Sequence, residues 1–96
     1  MFIGIARFTL FLNEQPHSLK EKRSIVTKVR EALKNRMQVS AAEVGLQDVW
    51  QRAAIGIACV SSDKKVAEKM LDEARKLIES FPQVEITEEE RDVDAW

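Results

Sequence analysis

The side chains best suited to bind a ligand are the cations of residues 17–36, HSLKEKRSIVTKVREALKNR, where seven basic residues stand against two acidic ones. The basic residues are Lys20, Lys22, Arg23, Lys28, Arg30, Lys34 and Arg36. On a helix that turns about 100° per residue, one set of positions falls within an arc of about 80° around the helix axis. That set is Lys20, Arg23, Thr27, Arg30 and Lys34. Ammonium and guanidinium groups bind phosphates, so this face is a candidate surface for docking an anion such as RNA. The alternative is the solvated face of an ordinary amphipathic helix.

A second candidate segment is LQDVWQR, which offers amides, an indole and one further cation. Its candidate binding side chains are Gln47, Asp48, Trp50, Gln51 and Arg52. The indole of Trp50 is suited to stacking on a base or a partner, or else it covers one end of the core. His17, just before the cationic helix, completes the candidate set.

Motifs for catalysis are absent from the chain. His17 is the only histidine, and Cys59, the only cysteine, lies in the apolar run AAIGIACV, so no Cys–His nucleophile pair is expected. The patterns HExxH, CxxC, GxxxxGK(S/T) and GxGxxG do not occur. The carboxylates at 88–90 would alternate between the two faces of a strand, which favours a solvated chain end over a cation site. We therefore expect a protein that is not an enzyme and that carries no metal or cofactor.

Composition indicates one soluble domain that is electrically polarised. A length of 96 residues, 45% hydrophobic and 32% charged, predicts a single globular domain over 1–96. No apolar run reaches the roughly 18 residues of a membrane span, and MFIGIARFTLFL resembles a strand more than a signal peptide. The lone cysteine favours a reducing, cytoplasmic location. The net charge is −1, but residues 17–36 carry +5 and residues 85–96 carry −5.

Hydrophobic periodicity predicts six elements. Alternation over residues 2–12 predicts a strand, and Ser18 with Glu21 has the form of a capping box that begins a helix. Lys22 and Arg36 are expected towards the apolar side of that helix, where long stems can extend back to solvent. Strands are predicted over 38–44 and 50–60. A second helix follows, with an N-cap at Ser61, Ser62 or Asp63 and a stop at Pro82. Its predicted apolar stripe is Val66, Met70, Ala74, Leu77, Ile78 and Phe81. A fourth strand opens with Val84 and Ile86 and is expected to fray in the acidic end.

The order β-α-β-β-α-β predicts a ferredoxin-like α+β sandwich, with a four-stranded antiparallel sheet and both helices on one face. The first two strands then run parallel, which brings residues 17–23 and 46–52 to the same end of the sheet. We call these two segments the rim. Residues 54–58 of the third strand place only Ile55 and Ile57, or Ala54, Gly56 and Ala58, on its two faces, and no RNP1 pattern occurs. The sheet is therefore not expected to read RNA as an RNA-recognition motif does.

The helix stripes and one sheet face need a common core. We expect it to contain Phe8, Leu10, Val29, Leu33, Ile57, Met70, Leu77 and Ile78. The opposite sheet face should retain Ile3 and Ile5 with Ile55 or Ile57, which predicts a homodimer through the sheet face or a sheet edge.

Two segments, HSLKEKR at 17–23 and VSAAEVGLQDVWQRA at 39–53, resemble signatures of the YlxP-like family of small bacterial proteins. The resemblance spans nearly the whole chain and also implies a ferredoxin-like fold. Genes of this family often lie beside genes for translation and ribosome maturation, and no activity is established for it. The resemblance thus favours an RNA- or ribosome-associated binding module that uses the rim. A protein-interaction or assembly domain that uses the open sheet face is the alternative.

Overall fold

A computed structural model describes all 96 residues. Its elements are β1 (Phe2–Leu12), α1 (Leu19–Arg36), β2 (Ser40–Gly45), β3 (Arg52–Ser61), α2 (Lys64–Glu79) and β4 (Val84–Ala95). The four strands form one sheet in the order β2-β3-β1-β4, and every neighbouring pair is antiparallel. The predicted ferredoxin-like α+β fold is confirmed. Strands β2 and β3 each begin two residues later than predicted.

Side-chain caps fix where both helices begin. The Ser18 hydroxyl accepts a hydrogen bond from the Glu21 N–H at 3.1 Å, as the capping box predicts. The Glu21 carboxylate reaches one residue further back than expected and accepts from the N–H of His17 at 2.6 Å. For α2, Asp63 is the cap among the three candidates, and its carboxylate accepts from the N–H of Lys65 at 2.8 Å.

The core lies between the two helices and the even-numbered face of β1. Six of the eight predicted core residues are buried: Phe8, Leu10, Val29, Leu33, Ile57 and Ile78. Met70 and Leu77 are only half-buried at the edge of the core. The predicted stripe of α2 is right at Ala74 and Ile78 and wrong by one position in the first half of the helix, where Val66 is exposed. The residues that α2 buries are Ala67, Leu71, Ala74 and Ile78.

Close packing of α2 on the sheet involves Gly4. A Cβ on Gly4 would lie 2.8 Å from the Cys59 Sγ and 3.5 Å from a methyl carbon of Leu71. The Cys59 Sγ therefore occupies the space that a side chain at Gly4 would need, while Leu71 packs over Gly4 at van der Waals distance. The small side chains of Ala67 and Ala74 are fully buried and let the helix approach the sheet closely. Burial also raises the pKa of the Cys59 thiol.

Two further predictions about the sheet are wrong. Ile55 and Ile57 pair in register with Phe8 and Ala6 and lie under the helices, so neither is on the open face. Strand β4 does not fray, because it pairs with β1 as far as Ala95, with one irregularity beside Thr9.

No helix of the structure has both the length and the apolar character needed to cross a membrane.

The core assignment predicts a large effect for Leu33→Ala. Leu33 is fully buried, so truncation removes packing and leaves a cavity, and we expect a loss of about 2–5 kcal/mol in the free energy of unfolding. Urea unfolding followed by circular dichroism measures it. Lys34→Ala is the matched control on the exposed side of α1 and should change stability by less than about 0.5 kcal/mol. Equal effects for the two variants would show that α1 does not pack as described.

Candidate functional site

The two segments of the rim are joined by the side chain of Lys22. Its Nζ donates hydrogen bonds to the carbonyl oxygens of Leu46 at 2.6 Å and Gln47 at 3.2 Å. At the same end, the N–H of Leu12 donates to the carbonyl oxygen of Gln51 at 2.8 Å. The predicted meeting of residues 17–23 with residues 46–52 is therefore confirmed, and a buried cation holds it together.

Lys22 was expected on the apolar side of α1, and it is there, but its ammonium group does not reach solvent. It continues the buried stripe formed by Val26, Val29 and Leu33, so its side chain points at the sheet and is fully buried. The Glu43 carboxylate lies 3.7 Å from its Nζ. The prediction of Lys22 as a binding residue is therefore wrong, because its ammonium group is not accessible to a ligand. Its contacts give it a different task, which is to fix the hairpin against the helix.

The turn that Lys22 holds contains an unusual backbone conformation. Leu46 has a φ of 61°, in the left-handed region that non-glycine residues seldom adopt. Its carbonyl oxygen accepts from both Lys22 Nζ and, at 3.0 Å, the N–H of Val49. Two donors on one carbonyl offset part of the cost of this conformation, which is of order 1–3 kcal/mol.

Around this anchor, most of the predicted binding side chains are at the surface. The exposed ones are His17, Lys20, Arg23, Gln47, Asp48, Trp50 and Arg52. Gln51 is half-buried, and its amide lies 3.5 Å from the carbonyl oxygen of Leu12. Trp50 is 44% exposed and lies outside the core cluster, so the alternative in which its indole covers the core is wrong.

A groove continues from the rim between α1 and β2. It has a volume of about 280 Å³. Its lining residues are Arg23, Val26, Thr27, Arg30, Glu43 and Gln47. Arg30 contacts Glu31 at 3.2 Å, while its Nε is buried without a hydrogen-bond partner. Lys34 lies further along α1, in a separate groove with Met37 and Val60, so the structure does not bring it to the rim.

The cations of α1 are mostly free of acidic partners. Among its seven basic residues, only Lys22 and Arg30 make an ion pair. The five without one are Lys20, Lys28, Arg23, Lys34 and Arg36. Helix α2, by contrast, alternates five basic residues with four acidic ones and makes ion pairs with itself and with β4. The positive charge of this molecule is therefore concentrated on one helix.

An ion-pair network that the sequence patterns did not predict joins α2 to β4. Glu89 contacts both Arg75 and Arg91, and Arg91 contacts Asp72 at 2.7 Å. Burial alone would lower the pKa of Arg91, but its bonds to Asp72 and Glu89 outweigh that effect and raise it. Strand alternation could have indicated the network, because it places Glu89 and Arg91 on the same face as the apolar Val93. That face is the one covered by the helices, where a charged side chain needs a partner.

The fold and the rim together define the class of this protein as a ferredoxin-like α+β domain with a candidate surface for anions. The family model described as "Protein of unknown function (DUF503)" matches residues 3–91. Over 70 residues the chain is 44% identical to the Bacillus subtilis (strain 168) protein "Uncharacterized protein YlxP", an alignment that covers 73% of this chain and 76% of that relative. The chain therefore belongs to the DUF503 family, and the predicted resemblance to YlxP-like proteins is confirmed.

The anchoring task of Lys22 predicts a stability loss for Lys22→Met. Methionine keeps most of the volume but leaves two carbonyl oxygens and the Glu43 carboxylate without their cation. We expect unfolding free energy to fall by about 2–3 kcal/mol, with faster amide hydrogen exchange in residues 46–49. Lys28→Met, on the exposed side of the same helix, is the control and should be nearly neutral. A Lys22→Met variant as stable as this control would contradict the anchoring task.

Proposed function

We propose that this protein is a non-catalytic module that docks on structured RNA, such as the surface of a ribosome, through its rim. The observation that carries the proposal is the concentration of exposed, unpaired cations on α1, together with an exposed indole in the segment that Lys22 holds against this helix. The lone cysteine and an RNA partner both favour the cytoplasm as the place of action.

The rim and the groove beside it each have a chemical task in this proposal. Arg23 and Arg30 are seven residues apart on α1, about 10.5 Å along the helix axis, and both line the groove. Guanidinium groups bind phosphates in a two-pronged geometry, so these two arginines suit the sugar–phosphate backbone, with Lys20 adding charge at the helix start. Trp50 supplies a stacking surface for an unpaired base, and the Gln47 amide supplies hydrogen bonds.

The charge of the opposite surface supports the rim over the sheet as the place for RNA. Strand β4 presents five carboxylates on the open sheet face. They belong to Glu85, Glu88, Glu90, Asp92 and Asp94. Repulsion from these groups disfavours a phosphate backbone there, whereas the side chains of α1 attract it.

Replacing both Lys20 and Arg23 with glutamate tests the proposal. Both residues are exposed and form no ion pair, so folding should be nearly unaffected. Binding to a structured RNA hairpin, measured by fluorescence anisotropy over a series of salt concentrations, should be lost. For any residual binding, the slope of log affinity against log salt should fall by about 1.5, since two phosphate contacts are removed. Co-sedimentation with ribosomes should be lost as well.

Lys65→Glu with Lys76→Glu is the matched control, because it makes the same change in charge at exposed positions of α2. This control should retain most of the affinity and the full salt slope. Equal losses of affinity for the two double variants would indicate unspecific electrostatic attraction. Unchanged binding of the Lys20 and Arg23 variant would show that the basic face of α1 is only solvated and binds no RNA.

Trp50→Ala tests the stacking task separately. Loss of one base–indole stack should weaken RNA binding by about 1–3 kcal/mol. Stability should change little, because the side chain lies outside the core. Trp50→Phe is the control that keeps an aromatic surface and should retain most of the affinity. A Trp50→Ala variant that unfolds more easily but binds normally would show that the indole supports the hairpin instead.

A further inference from the structure

The sheet face opposite the helices carries two bands of different chemistry. The first band, on β2, β3 and β1, is mostly apolar, with Arg7 and Arg52 as its charged members. Its most exposed members are Val44 at 52%, Ile5 at 50% and Val60 at 62%. Between them, β3 offers Ala58 and Gly56, and the Val44 side chain lies over Gly56.

The second band is the acidic side of β4. Its five carboxylates pair in register with the open-face residues of β1, and only Glu90 has a cationic partner, Arg7. The pKa of Asp94 is raised by a hydrogen bond to Asp92 and by the charge of that neighbour. Asp92 and Asp94 are thus close enough to repel one another; the nearby charge of Lys64 offsets part of this repulsion, and a further cation placed beside the pair would relieve more of it.

A second copy of the chain fits this face poorly. If the twofold axis crosses the strands, the two acidic bands face each other. If the axis runs along the strands, each acidic band faces β2, whose open side carries Ser40, Ala42 and Val44 and no cation. Helix α1 of another copy offers cations, but its apolar stripe is already buried against its own sheet. These charges weigh against the homodimer expected from the sequence.

We propose that the open sheet face docks a cationic amphipathic helix of another protein, with its apolar side on β3 and β1 and its lysines or arginines over β4. The dimensions agree, because a helix about 10 Å wide spans two strands that lie about 4.8 Å apart. Its apolar side would cover Ile5 and Val60, and its flanking cations would reach Asp92 and Asp94. The carboxylates of β4 disfavour RNA on this face, so its expected partner differs from that of the rim.

The probe for this proposal is a synthetic peptide of roughly 18 residues, about 27 Å long as a helix, with leucines on one side and lysines on the other. It is titrated into the full ¹⁵N-labelled chain and followed by NMR. Amide shifts should change at Ile5, Ala58, Val60 and Asp92, and not in α1 or α2. A peptide with glutamates in place of the lysines should not bind.

Asp92→Asn with Asp94→Asn should weaken peptide binding by about fivefold or more, since two surface ion pairs are removed. The matched control, Glu68→Gln with Glu73→Gln, makes the same charge change on exposed positions of α2 and should leave the affinity unchanged. Ile5→Thr keeps a β-branched side chain on β1 and should also weaken binding.

Shift changes on the helices, or equal losses for the two charge variants, would overturn the proposal. So would a stable dimer of the free chain at micromolar concentration in analytical ultracentrifugation, because the face would then be occupied by a second copy. The test is independent of the rim: the variant with Lys20 and Arg23 replaced should still bind the peptide, and the variant with Asp92 and Asp94 replaced should still bind RNA.

Discussion

The geometry of the rim depends on one buried cation. The Lys22 ammonium group bonds to the hairpin carbonyls of Leu46 and Gln47, in a turn where the N–H of Val49 also donates to Leu46. A buried charge costs free energy unless it is fully bonded, so the helix and the hairpin must remain together for Lys22 to be satisfied. This requirement ties the helix start to a turn about 25 residues later in the chain. It also leaves the neighbouring Lys20 and Arg23 free to face solvent.

The remaining charges are sorted by element. On α1 the cations outnumber the acids, and most of them lack a partner. On β4 the acids dominate. The charged side chains of β4 that point towards the helices, Glu89 and Arg91, are paired with α2. The outward carboxylates of β4 are mostly unpaired. A net charge near zero thus conceals two surfaces of opposite sign, one suited to phosphates and the other to cationic protein.

Patterns of neighbouring residues correctly predicted the features that depend only on neighbouring residues. Alternation in β1 identified the buried face, and Ser18 identified the start of α1, because strand pleat and helix capping depend on neighbouring residues. The order of elements then implied the meeting of the two rim segments. Lys22 shows the limit of such inference. Its position on the apolar side was predicted, but its burial depends on carbonyl groups of a distant hairpin that no local pattern describes.

Tertiary contacts also explain the other errors. The face that α2 buries depends on its packing against the sheet, where Leu71 lies over Gly4 and Ala67 and Ala74 are fully buried. Strand β4 persists through its acidic residues because Glu89 and Arg91 find partners on α2, whereas a count of local charges predicted fraying. Both effects depend on pairs of residues distant in the sequence.

The most direct measurement is an NMR map of the labelled protein bound to a structured ribosomal RNA fragment at moderate salt. RNA docking at the rim predicts signal changes at Lys20, Arg23, Arg52 and the Trp50 indole, with the Ile5 and Asp92 signals unchanged. Changes centred on the open sheet face, or no change at the rim at concentrations that saturate binding, would contradict it.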